Sequence, residues 1–237
     1  MDPAYLLFAH VARRPEAELD LAAAALLIAE PEYASLDVAH YVERLDEMAE
    51  AIRGHGMSGP GRVVGALNKY LFDDLGFRGN EDDYYDPRNS FLNEVLDRRV
   101  GIPITLSVVY IEVGRRLGLD LHGVSFPGHF LVKQRLGSEE KILDPYHGGV
   151  YLEREDLVDR LERAIGQDVQ LADEHLVTAT KRQILTRMLN NLRGIYHRVE
   201  DVARERGALE RLVILNPGDE RLVEALLEIR RITGEGN

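Results

Sequence analysis

The sequence has no cysteine and no tryptophan in 237 residues. The missing thiol excludes disulfides, thiolate metal sites and a cysteine nucleophile, and it favours a reducing compartment. No stretch approaches the roughly 20 apolar residues that a membrane helix needs. Residues 1–26 interleave apolar positions with Arg13, Arg14, Glu16, Glu18 and Asp20, so they lack the uncharged run of a signal peptide. These absences point to the cytoplasm. Positive charge is also short: 29 Lys and Arg face 41 Asp and Glu, a net charge of −12. Polyanionic nucleic acid is a poor match for such a chain. The mildly basic stretch 182–198 reads as a solvated helix face.

What is present suits a soluble globular core: 45% hydrophobic and 30% charged residues. Leu19 to Glu30 is rich in the helix formers Ala and Leu. From a cap at Ser35, the residues Leu36, Ala39, Val42, Leu45, Met48, Ala49 and Ile52 recur in steps of three and four, one apolar stripe of a helix. Gly54-His55-Gly56 stops it. A short helix over Val63 to Asp74 follows, then a polar, aromatic loop from Gly76 to Asn89. Ser90 is positioned to cap a helix reaching Arg99. Ile104 to Leu117 is apolar on nearly every face, the mark of a buried helix, with Pro103 suited to its first turn and Gly118 to its end.

Leu119–Phe126, His129–Gln134 and Lys141–Asp144 read as short strands, the first two divided by Pro127-Gly128. Helices resume at Arg154 and run to Ile232, with breaks near Val199 and at Asn216-Pro217-Gly218-Asp219. The order predicts an α+β fold: N-terminal helices over 1–75, a core of buried helix and antiparallel sheet over 76–170, and C-terminal helices over 171–237.

His129 follows a Pro-Gly turn and Asp144 precedes Pro145, each at or near a strand edge. Adjacent antiparallel strands can bring them together. The Asp would then fix the imidazole and leave its second nitrogen as a general base. Around them, Tyr85, Asp86 and Asn89 could wall a cleft, or form turns and a helix cap. Arg98 and Arg99 read best as partners of Glu94 and Asp97, and Glu112 as the partner of Arg115 and Arg116. For metal, His122, His129, His147 and Asp144 are the candidate group, with spacings that match no common zinc signature. His147 lies in a Gly-rich turn and could reach the cleft mouth. Neither a metal nor another cofactor is expected.

The run from Asn89-Ser90-Phe91 to Gly101-Ile102-Pro103-Ile104-Thr105-Leu106-Ser107 resembles the SirB-type transglutaminase-like family. So do Gly79-Asn80 with Tyr84-Tyr85-Asp86-Pro87, Pro127-Gly128-His129-Phe130-Leu131-Val132, and Asp144-Pro145-Tyr146-His147-Gly148-Gly149. The resemblance covers residues 20–150 and implies a papain/transglutaminase-like core, with a tail resembling truncated tetratricopeptide repeats. It places His129 and Asp144 on the last two positions of a Cys-His-Asp triad, and the nucleophile near Pro103 or Ile104, neither of which can attack anything. Thr105 is the nearest hydroxyl in the first helical turn, with Ser107 two residues on. Two functions stand against each other. One is a thiol-less homologue acting in binding or regulation, with a protein partner and a tail that could support a homodimer. The other is a hydrolase or amide transferase using His129–Asp144 with Thr105 or an activated water.

Overall fold

The computed structural model describes residues 3–33, 35–54, 59–166 and 169–234. Helices α1 (Pro3–Ala12), α2 (Leu21–Leu27) and α3 (Val38–Arg53) open the chain. The cap of α3 is Asp37, whose carboxylate accepts the His40 N–H at 3.0 Å, and not Ser35, which takes the left-handed conformation at φ 65°. The helix ends at a Gly54 cap, while His55 and Gly56 of the expected stop lie outside the described residues. Helix α4 (Pro60–Asn68) continues into a π-helical turn, Lys69–Asp74.

The polar loop contains more order than its composition suggests. Its strand β1 (Arg78–Gly79) pairs in parallel with β2 (Val100–Gly101), immediately before the buried helix. Between them a 3₁₀ turn, Pro87–Asn89, leads into α5 (Leu92–Arg98). Phe91 rather than Ser90 holds the N-cap of α5, without a side-chain bond. Ser90 Oγ is buried and has no hydrogen-bond partner among the described residues.

Helix α6 (Pro103–Arg116) is buried over Pro103 to Gly114, with Pro103 in its first turn. Its one internal charge, Glu112, is matched by Arg116 at 2.7 Å and Arg115 at 3.0 Å. Strands β3 (Leu121–Val124), β4 (Leu131–Leu136), β5 (Glu139–Asp144) and β6 (Val150–Leu152) form an antiparallel sheet in chain order. Three of these match the sequence reading; β6 is additional, and His129 lies in the turn before β4 rather than in the strand. The period of two along each strand sorts residues between faces. Val132 and Leu143 join the main core with α6, while Val124, Leu131 and Ile142 join a smaller core with Leu157 and Leu161 of α7 (Arg154–Ile165).

Helices α8 (Lys181–Arg198), α9 (Val202–Leu215) and α10 (Glu220–Ile232) complete the chain. One hydrophobic core runs from Phe8 through α6 to Ile229, so the N-terminal and C-terminal helices share it with the central segment. The Lys181 ammonium donates to the Leu19 carbonyl at 2.7 Å, and Arg182 donates to Ala12 and Arg14, tying α8 to the N-terminal helices. No helix of the described residues is long and apolar enough to cross a membrane.

Candidate functional site

The sheet delivers Asp144 as the last residue of β5, and the turn 127–130 delivers His129. Asp144 has a side chain with 0% exposure, and four groups surround its two oxygens. Oδ1 receives His129 Nε2 at 3.0 Å and the Tyr146 N–H at 3.1 Å. Oδ2 receives His147 Nδ1 at 2.7 Å and the Arg160 guanidinium at 2.9 Å. Burial pushes the Asp144 carboxyl up, but the bonds and charges of His129, His147 and Arg160 together outweigh it and hold it below the usual carboxylate value. The backbone assists: Gly148 and Gly149 both take positive φ, folding the chain so that the Gly149 N–H closes on the Asp144 carbonyl at 2.8 Å.

His129 is therefore fixed through Nε2, which leaves Nδ1 without a partner among the described residues. Tyr146 stands edge-on to its ring, with centroids 5.8 Å apart. Beside it lies a cleft of about 30 Å³, lined by Tyr84, Pro103, Ile104, Gly128, His129, Phe130, Arg187 and Asn191. The start of α6 thus faces His129 as the triad pattern requires, but it presents a pyrrolidine ring and an aliphatic chain.

Thr105 is not at this cleft. It is fully buried, and its hydroxyl donates to the Asn89 carbonyl at 2.7 Å while accepting the Ile102 N–H at 3.1 Å. One helical position rotates a side chain by about 100°, which is enough to turn Thr105 into the core. The alternative nucleophile of the sequence reading is thus committed to the backbone. Ser107 is likewise buried, with no hydrogen-bond partner for its Oγ among the described residues.

Three residues expected at the cleft wall sit elsewhere. Asp86 pairs with Arg88 at 2.8 Å and with Arg98 at 3.4 Å. Asn89 is a buried strut, donating to the Asp83 carbonyl at 2.7 Å and accepting from Asn80 at 3.0 Å. Tyr85 is 55% exposed and carries the Arg198 guanidinium 3.8 Å from its ring centroid; its neighbour Tyr84 lines the cleft instead. Pro103 does line it, and His147 touches Asp144, as above. Arg98 thus pairs with Asp86 rather than Glu94 or Asp97. Arg99 donates to the Leu75 carbonyl at 2.9 Å, and Asp97 is taken by Arg44 and Tyr41.

His129, Asp144 and His147 place ligand-capable atoms within 4.8 Å of one another, so among the described residues they are the group that could hold a metal; His122 is not part of it. The Arg160 guanidinium on the same carboxylate opposes a second cation there. Sequence reasoning missed Arg160, Arg187 and Asn191. They sit on α7 and α8, whose sequences read as ordinary amphipathic helices, and only the fold brings them to the site. The four-residue step from Arg187 to Asn191 marked a shared helix face, with nothing to say what it faced.

A buried helix whose first turn faces a His–Asp pair on an antiparallel sheet is the core arrangement implied by the motifs. The family model of the transglutaminase-like superfamily matches residues 39–190, more than half of the chain. The chain belongs to the transglutaminase-like superfamily. Within it, the chain belongs with the UPF0162 proteins. One from Xylella fastidiosa (strain 9a5c) is 42% identical over 209 residues, 84% of this chain and 73% of that protein. A UPF0162 protein of Pseudomonas aeruginosa is 32% identical over 220 residues, 92% of this chain and 78% of its own length. F-box only protein 21 of Mus musculus is 39% identical over 136 residues, 55% of this chain and 21% of that protein.

Proposed function

We propose that this chain is a SirB-type, cytoplasmic member of the superfamily that binds rather than cuts, a binding or regulatory protein built on a thiol-less cleft. The observation that carries the reading is the wall opposite His129. Pro103 and Ile104 occupy it, the Thr105 hydroxyl is bonded into the core, and the sequence contains no cysteine. The His129–Asp144 pair then serves as a rigid polar wall. The tail α8–α10 resembles truncated tetratricopeptide repeats and offers a surface for a protein partner or a second copy. Val223, Leu227 and Ile232 on α10 are exposed apolar residues of that surface.

The second reading, a hydrolase that uses a water activated by His129, draws on one feature. The cleft is about 30 Å³, room for a water, and His129 Nδ1 is unengaged among the described residues. One experiment separates the two. Peptide amides, esters and a glutamine acyl donor with a primary amine are incubated with the wild type and with His129→Ala. The binding reading expects both proteins to match buffer alone. Turnover by the wild type that disappears in His129→Ala refutes it in favour of the hydrolase.

A further inference from the structure

We infer that the cleft beside His129 is a carboxylate subsite that takes the free C-terminal carboxylate of a peptide, with Arg187 as its principal ligand and Asn191 and Tyr84 beside it. The inference deepens the binding reading and rests on it.

Arg187 is half-buried and stands 5.6 Å from the Phe130 ring centroid. Its hydrogen bond goes to the Phe126 carbonyl at 3.3 Å, and no carboxylate of the described residues lies within ion-pair distance. Two cations elsewhere in the core are matched by carboxylates, Arg116 by Glu112 at 2.7 Å and Arg160 by Asp144 at 2.9 Å. A guanidinium partly removed from water without a counter-charge is costly, and burial draws the Arg187 pKa down. An anion in the cleft removes that cost.

The size and lining of the cleft define the anion. A volume of about 30 Å³ admits one small head group and excludes the body of any peptide. Asn191 lies one turn along α8 from Arg187, on the same face, and offers an amide donor. Tyr84 offers a phenolic hydroxyl and lies close enough to Arg187 to interact with its charge. One guanidinium with two neutral donors suits a single negative charge in a planar group. Pro103, Ile104 and Phe130 complete the lining and lower the local dielectric, which strengthens that attraction. The exposed Tyr85 ring, which carries Arg198, stands edge-to-face with Tyr84 at 5.4 Å between centroids and offers a surface for the rest of a peptide.

The test uses the full chain labelled at isoleucine δ1 methyls, with Ile104 as reporter. The probe is N-acetylglycylglycine, and the control is its C-terminal amide. The acid is expected to shift the Ile104 methyl saturably and the amide to leave it in place. Arg187→Met is expected to weaken binding about tenfold or more, the loss of a charge-assisted contact. Tyr84→Phe, which keeps the exposed ring, is expected to weaken it less. A silent Ile104 methyl, an equal response to the amide, or unchanged affinity in Arg187→Met overturns the inference. Turnover that depends on His129 would overturn the binding reading while leaving the carboxylate site measurable as a product site. A silent methyl in a protein without turnover overturns this inference alone.

Discussion

Replacing Thr105 with Val separates a structural hydroxyl from a chemical one. The two side chains have nearly the same shape, so Thr105→Val opens no cavity. It removes the donor to the Asn89 carbonyl at 2.7 Å and the acceptor of the Ile102 N–H at 3.1 Å. Each bond contributes about 1 kcal/mol net, and the stranded buried groups add their own desolvation, for a total of about 2–4 kcal/mol. For a domain of this size that is a fall in Tm of roughly 4–16 °C. Urea denaturation followed by circular dichroism, paired with calorimetry, measures it. Thr105→Ser is the companion variant: it keeps both bonds and loses one methyl, at about 1 kcal/mol. If Val lies within about 0.5 kcal/mol of the wild type, or if Ser is as damaging as Val, the hydroxyl is not the strut described and the reasoning fails.

Two further expectations concern the His–Asp site. The folded Asp144 carboxyl is a stronger acid than the unfolded one, which titrates near 3.9. As pH falls the unfolded chain binds the proton first, so the Asp144 contribution is fully present above about pH 4 and is lost as pH falls through the lower, folded value. The pH-dependence of urea midpoints should therefore differ between the wild type and Asp144→Asn in that acidic window; parallel curves would show that the carboxylate is not held as described. Gly79→Ala would place a Cβ in the Tyr146 ring, which stands edge-on to His129. It is expected to cost about 1–3 kcal/mol and to move the His129 ring resonances, and unchanged resonances would show that Tyr146 does not position the imidazole.

Much of the fold was legible because its signals are local. Gly101-Ile102-Pro103 followed by an all-round apolar run announces a buried helix, and α6 starts at Pro103. His129 and Asp144 stand out because one follows a Pro-Gly turn and the other precedes Pro145 at the end of a strand, and the structure joins them at 3.0 Å. Strand β6 is three residues long and follows two glycines, so neither alternation nor length betrays it. The cap at Asp37 and the failed cap at Ser90 turn on backbone angles that Ser and Asp satisfy equally well on paper. The partners of Arg98 and Thr105 could not be read, because a charge or a hydroxyl carries no record of what the fold sets opposite it. Asp86 and Asn89 lie 12 and 16 positions away from them along the chain.

Helix α8 has two neighbourhoods. Leu185, Met188 and Leu189 lie in the main core, Arg187 and Asn191 line the cleft, and the helix packs lengthwise against α9. It is therefore a common wall between the polar cleft and the tail. A displacement of α8 moves both of its faces. A protein that grips the tail and slides α8 would change the fit of whatever sits by His129, and filling the cleft would change the grip by the same factor. The family match, which stops at residue 190, ends partway along this helix. A chain cut at that point would lose Asn191 and with it one side of the cleft. The segment matched by the family model and the tail thus share one helix.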